Sequence, residues 1–163
     1  MATILKPSYG AAVALTTTVS GLTTDSNLLK GRFTTVVDNS SALAVDALVG
    51  GTLLPIATVT ANTVIEIWVA ASWDGGTTYL GNQSPTDAEY TFTTVGMKRG
   101  MKLGAVIDVT SATAYTYTFM FSVAQACGGT MPSHWALFFT HNCSNTGLTQ
   151  GALKYTPVQY TNV

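Results

Sequence analysis

The stretch "AYTYTFMFSVAQ" at residues 114–125 alternates large apolar with small side chains, and this alternation constrains the fold more than any other feature of the chain. Successive side chains of an extended strand point to opposite faces, so Tyr115, Tyr117, Phe119, Phe121 and Val123 share one side, which has to be buried. The other side carries Thr116, Thr118, Met120, Ser122 and Ala124, uncharged and only mildly polar, unlike the Lys- and Glu-rich surface that ordinarily meets water. Such a face demands a cover. Residues 63–73, "TVIEIWVAASW", make the demand more strongly. Ile65, Ile67, Val69, Ala71 and Trp73 fall on one face, Val64, Glu66, Trp68, Ala70 and Ser72 on the other, and both faces are largely apolar. A central strand covered on both sides reads this way, and so does a strand whose outer face meets another subunit.

Helical periodicity is absent from the rest of the chain, which is rich in Thr, Val, Ile, Tyr and Phe, the residues of pleated, half-buried surfaces. Strands are expected at 12–19, 31–37, 42–50, 63–73, 77–81, 90–95, 102–109, 114–124, 134–141 and 152–160. "DNSS" (38–41) and "DGG" (74–76) read as hairpin turns between alternating runs. The expected fold is all-β, an antiparallel two-sheet sandwich of jelly-roll type with about eight core strands. Residues 1–28 mix small, polar and turn-forming residues and are expected as a partly extended N-terminal arm, with residues 29–163 forming the single sandwich domain.

Composition narrows the function. Only 9% of the 163 residues are charged, against roughly a quarter in ordinary soluble domains, and the formal net charge is −1. No field attracts nucleic acid or an anionic membrane, and no apolar run approaches the ~18 residues of a membrane span. The run at 11–22 is interrupted by threonines and is read as part of a leaderless chain. Cys127, His134, His141 and Cys143 are residue types that bind zinc, but their C-x6-H-x6-H-x-C spacing lacks the short steps that present two ligands from one turn. Neither metal nor cofactor is expected, and the two cysteines are read as free thiols. Ser133 beside His134 on a strand would point away from it, no G-x-S-x-G elbow exists, and Asp87 with Glu89 reads as solvated charge rather than a glycosidase pair. No enzyme is expected. The N-x-S triplets at Asn39, Asn82 and Asn142 are discounted as glycosylation sites. "KRGMK" concentrates Lys98, Arg99 and Lys102 without aromatics between them, and with Lys6 it supplies candidate contacts to an acidic partner surface.

"VVDNSSALAVDALVGG" (36–51), "IEIWVAASWDGGTTY" (65–79), "GGTMPSHWALFFTHN" (128–142) and "LKYTPVQY" (153–160) resemble segments of small structural proteins of tailed bacteriophages. Among such proteins, the best-understood group similar in size to this chain is the jelly-roll capsid decoration, or cement, proteins. The resemblance implies a homotrimer on the outer surface of the virion head, made in the host cytoplasm, that bridges copies of the major capsid protein. It carries no binding motif to transfer residue by residue. On this reading Thr116, Thr118 and Met120 are the candidate intersubunit residues, and Lys6, Lys98, Arg99 and Lys102 the candidate capsid contacts. The alternative is a carbohydrate- or receptor-binding sandwich on a tail or fibre, using aromatics such as Trp73, Tyr79 and Tyr90.

Overall fold

The computed structural model of the chain describes residues 4–56, 59–60, 62–110, 115–143 and 147–162. In chain order the strands among them are β1 (Leu5–Tyr9), β2 (Val13–Ala14), β3 (Lys30–Phe33), β4 (Val37–Asp38), β5 (Asp46–Pro55) and β6 (Thr63–Ser72). They continue with β7 (Glu89–Thr91), β8 (Lys102–Val109), β9 (Tyr117–Ser122), β10 (His134–His141), β11 (Leu148–Gln150) and β12 (Lys154–Asn162). Residues 1–3 of the expected arm and Ala114 of the expected 114–124 strand lie outside the described residues.

The strands pair antiparallel in two sheets of six. Three pairs are halves of one interrupted strand: β1 and β2 both pair with β12, β3 and β4 both pair with β10, and β11 and β12 lie along one edge of β5. With these halves merged, the first sheet runs β1β2, β11β12, β5, β9, and the second runs β3β4, β10, β6, β8, with β7 added outside β3. Numbered along the chain without β7, the merged strands follow the orders 1-8-3-6 and 2-7-4-5. That is the two-Greek-key jelly roll.

In this topology the chain passes from one sheet to the other at every connection except β6 to β7 to β8, which corrects two expectations. "DNSS" is not a hairpin but the crossover from β4 to β5, held by Asn39, whose amide donates to the Ala44 carbonyl (3.0 Å) and accepts from the Ala44 N–H (2.9 Å). "DGG" opens a long excursion rather than a return strand. There Asp74 accepts from Ser72 Oγ (2.6 Å) and the Thr78 N–H (2.9 Å), turning the chain back over its own sheet, and 77–81 forms no strand. Two short helices were also missed. Thr94 caps α1 (Val95–Arg99) and Ser122 caps α2 (Val123–Ala126), each hydroxyl accepting from an N–H three residues on.

The inward faces meet in one core that includes Ile65, Ile67 and Val69 of β6, Trp135, Leu137 and Phe139 of β10, Val49 and Leu53 of β5, and Phe119 of β9. Of the alternating set at 115–123, Phe119 and Val123 are buried, Tyr117 and Phe121 are partly buried, and Tyr115 is exposed. Gly104 of β8 lets the two sheets approach at this edge: a Cβ there would stand 2.6 Å from the Phe121 ring.

A second core lies on the outside of the second sheet. Phe33, Ala70 and Phe138 face outward, and the β6–β8 excursion lays Phe92 and Met101 over them, with Leu80, Tyr90 and Met97 alongside. Phe138 packs tilted against Phe33 and edge-on against Phe92, with ring centroids 4.8 Å and 5.1 Å away. The doubly apolar β6 is thus covered on both faces by its own chain.

The N-terminal segment is extended but is no separate arm over its described residues. β1 and β2 are paired into the first sheet, and Leu15, Val19 and Leu22 reach the core. β5 stops opposite Val158, so β1 and the last residues of β12 continue as a two-stranded ribbon with no third strand beside it among the described residues.

Candidate interaction surface

The residue types that suggested chemistry are engaged in holding the fold. His134 and His141 stand at opposite ends of β10, seven steps or about 23 Å apart along the strand. Among the described residues no group of three or more His, Cys, Asp or Glu is placed to hold a metal ion. His141 is fully buried, and its Nε2–H donates to the Leu22 carbonyl at 2.8 Å, which leaves Nδ1 to accept from the Cys143 thiol 3.3 Å away. Burial lowers the His141 pKa and pushes the Cys143 and Cys127 thiols up to about 11, so the pair is neutral and no thiolate forms near neutral pH. Both cysteines are free.

Ser133 does approach His134, against expectation. β10 begins only at His134, so the two side chains are not forced apart, and Ser133 Oγ lies 3.3 Å from His134 Nδ1 while His134 Nε2 lies 3.4 Å from Asp38. The Ser133 hydroxyl proton, however, goes to the Ser72 carbonyl at 3.0 Å, and the Asp38 side chain is 59% exposed. The array ties β4, β6 and β10 together and presents no activated nucleophile. Asp87 and Glu89 are likewise partnered separately, Asp87 by Arg32 (2.9 Å) and Thr18, Glu89 by Lys30 (3.1 Å). Burial alone would raise the Asp87 pKa, but the bonds from Arg32 and Thr18 hold it below the ordinary carboxylate value.

Of the basic residues, Lys98 is misplaced by the sequence reading. It is only 4% exposed, its Nζ lies 2.7 Å from Glu66 and 5.1 Å from the centroid of the Trp68 ring, and Trp68 Nε1–H donates to the same Glu66 oxygen. It fastens the excursion to the second sheet and cannot contact a partner. Arg99 and Lys102 are exposed near each other in sequence, and Lys6 is exposed on β1, at the opposite lateral edge of the sandwich from β8. The four do not form one patch.

Thr116, Thr118 and Met120 are all exposed, Met120 at 76%. Register places them beside residues that the sequence reading did not single out. Thr118 is opposite Thr52, Met120 opposite Gly50 and Ser122 opposite Leu48, and across β5 the same face continues through Lys154 and Thr156. The ribbon extends it with Leu5, Pro7, Tyr9 and Tyr160. On this outer face of the first sheet the strands carry two charged side chains, Asp46 and Lys154. A groove of about 630 Å³ crosses it, lined by Tyr9, Leu48, Gly50, Met120 and Thr156 among others. Gly50 keeps it open, since the sheet there has no side chain. The Gly50–Gly51 pair inside an alternating run was the available signal. No described segment covers this face as the excursion covers the other.

The aromatics proposed for glycan stacking divide. Trp73 is exposed beside a cleft of about 350 Å³, but Tyr79 is buried and Tyr90 packs against Phe92 at 4.9 Å. No protein-family model and no curated protein matches this chain.

Proposed function

We propose that the chain is a structural protein of a tailed-phage virion, a capsid decoration protein that assembles with copies of itself, as a trimer, and stabilises the head by bridging capsid subunits. The observation that carries this reading is the contrast between the two outer faces: the second sheet is covered by its own chain, whereas the first leaves a sparsely charged, mildly apolar surface with a groove and an adjoining ribbon that exposes Leu5, Tyr9 and Tyr160. A surface of this kind suits lasting contact with protein better than contact with water. Its action is mechanical. Contacts that exist only in the assembled shell stabilise that state by mass action, and the reading assigns the chain no catalysis. The carbohydrate-binding alternative asks for an exposed aromatic row, and Trp73 stands without Tyr79 and Tyr90.

The test uses native mass spectrometry of the purified chain, followed by mixing with undecorated phage heads. The expected result is a trimer that binds at fixed stoichiometry and raises the temperature at which heads burst. Thr118→Lys and Met120→Lys should weaken assembly with an unchanged far-UV spectrum, because each sets a charge into the contact. A dilute monomer that ignores heads and binds a polysaccharide would overturn the proposal.

A further inference from the structure

Trp73 follows the last residue of β6 and is 48% exposed, on the rim of the cleft of about 350 Å³ that Asp74, Thr78 and Tyr79 also line. A second, polar cleft of about 160 Å³ shares Thr78 and Tyr79 with the first and adds Asn82, Gln83 and Ser84. Tyr79 is the wall common to both. Its residue is only 8% exposed, yet its hydroxyl reaches the surface and has no hydrogen-bond partner among the described residues. A Cβ on Gly76 would stand 3.1 Å from that oxygen, so glycine there leaves the hydroxyl open. Burial and the nearby charges of Asp74 and Asp38 raise the Tyr79 pKa, so the hydroxyl stays protonated and can both donate and accept. The side chains of Asn82, Gln83 and Ser84 are likewise without hydrogen-bond partners among the described residues.

An open indole face at one end and unpartnered hydroxyl and amide groups at the other are separate observations that fit one ligand chemistry. A pyranose ring has a face of C–H groups that packs on an aromatic ring, and a belt of hydroxyls that each donate and accept. We infer that the two clefts form a binding site for a neutral saccharide of about two hexose rings, one ring on Trp73 and the hydroxyls of the next on Tyr79, Asn82 and Gln83. Asp74 sets the charge preference. It is the one charged side chain lining either cleft among the described residues, and the Ser72 hydroxyl and the Thr78 N–H hold its pKa well below the ordinary carboxylate value. An acidic sugar would meet this negative charge with no cation to answer it. A site of this size uses a single platform rather than the aromatic row of a polysaccharide track, and Tyr79 contributes its hydroxyl instead of its ring face. It lies apart from the outer face of the first sheet and is independent of the virion reading.

Cellobiose, lactose and diacetylchitobiose serve as neutral probes. Cellobiouronic acid, which has a carboxylate in place of one hydroxymethyl group of cellobiose, serves as the acidic one. In saturation-transfer NMR titrations of the purified chain, at least one neutral disaccharide is expected to bind, and more tightly than the acid. Trp73→Ala should weaken the best neutral probe about tenfold or more. Tyr79→Phe, which keeps the buried ring, should weaken it about three- to tenfold with an unchanged melting temperature. Thr118→Lys, which acts on assembly, should leave sugar binding as it is, so the two readings fail separately. No binding by any neutral probe, a preference for the acid, or an affinity untouched by either cleft variant overturns the inference. So does a response to tetramethylammonium alone, which would assign Trp73 and Asp74 to a cation.

Discussion

At the scale of single residues, Lys98 shows how far surroundings outweigh composition. Folded under the excursion with Glu66 and Trp68, it is part of a nearly buried ion pair, and removing one partner of such a pair strands the other. Lys98→Ala is expected to destabilise the chain by about 3 kcal/mol in urea unfolding, while Lys102→Ala, at an exposed site, should change stability by less than about 0.5 kcal/mol. Equal, small effects would mean that the excursion does not close over the sheet. His141 gives a pH dependence of definite sign. Its native pKa is lowered by burial, so below about pH 6.5 the unfolded chain takes up a proton that the native chain resists. Stability from this group is fully present above that pH and falls as the pH drops through it. The melting temperature should therefore decline from pH 7 to pH 5, and His141→Gln should flatten the slope. The thiols run the other way. Pushed up to about 11, they favour the native state until the pH rises past the unfolded-chain value, and at pH 8 iodoacetamide should label neither cysteine natively and both in urea.

At the scale of elements, β10 and the ribbon mark the extremes of local stability. β10 is paired on both sides and buried on both faces along nearly its whole length, whereas β1 and the end of β12 are exposed and, among the described residues, have no third strand beside them. Hydrogen exchange should be roughly a thousandfold slower at residues 135–140 than at residues 5–9, and comparable rates would argue against a projecting ribbon. The long alternating runs were the legible part of the sequence. Strands were expected at 63–73, 102–109 and 134–141 and are found as β6, β8 and β10, because alternation over eight or more residues has one structural solution. β1 and β11 escaped notice because they are short and mostly polar or exposed. The helices were hidden because α2 continues the alternation of β9 until Ser122 caps a turn, a decision taken by one hydroxyl. "DNSS" and "DGG" carry the same turn chemistry whether the chain returns to its own sheet or crosses to the other, so the hairpin reading had no local signal against it. On the candidate surface, Thr116, Thr118 and Met120 were legible as a face, while Leu48, Gly50 and Thr156 became its neighbours through pairings between distant segments that no local pattern contains.

At the scale of the whole molecule, nearly every connection spans the two sheets, so native contacts join parts of the chain far apart in sequence. Loop closure must then precede most of the stabilising contacts, and refolding from urea is expected in the range of milliseconds to seconds rather than microseconds. A microsecond phase accounting for the full amplitude would contradict the strand order. The same topology explains why one sheet can be self-sufficient and the other not. The single connection that stays within a sheet, from β6 to β8, is the one long enough to fold back and seal an outer face, and it serves only the second sheet.

The ribbon has a further consequence for engineering. Leu5 and Asn162 are register partners, so the two ends of the described chain lie side by side, roughly 5 Å apart at their Cα atoms. A short glycine-rich link between them closes the chain with little distortion, and new ends can be opened at Gly128–Gly129, an exposed turn after α2. Such a circular permutant should keep the jelly roll. Cargo attached beside Leu5 or beside Asn162 would emerge from the same corner of the molecule, which makes that corner a mounting point for display.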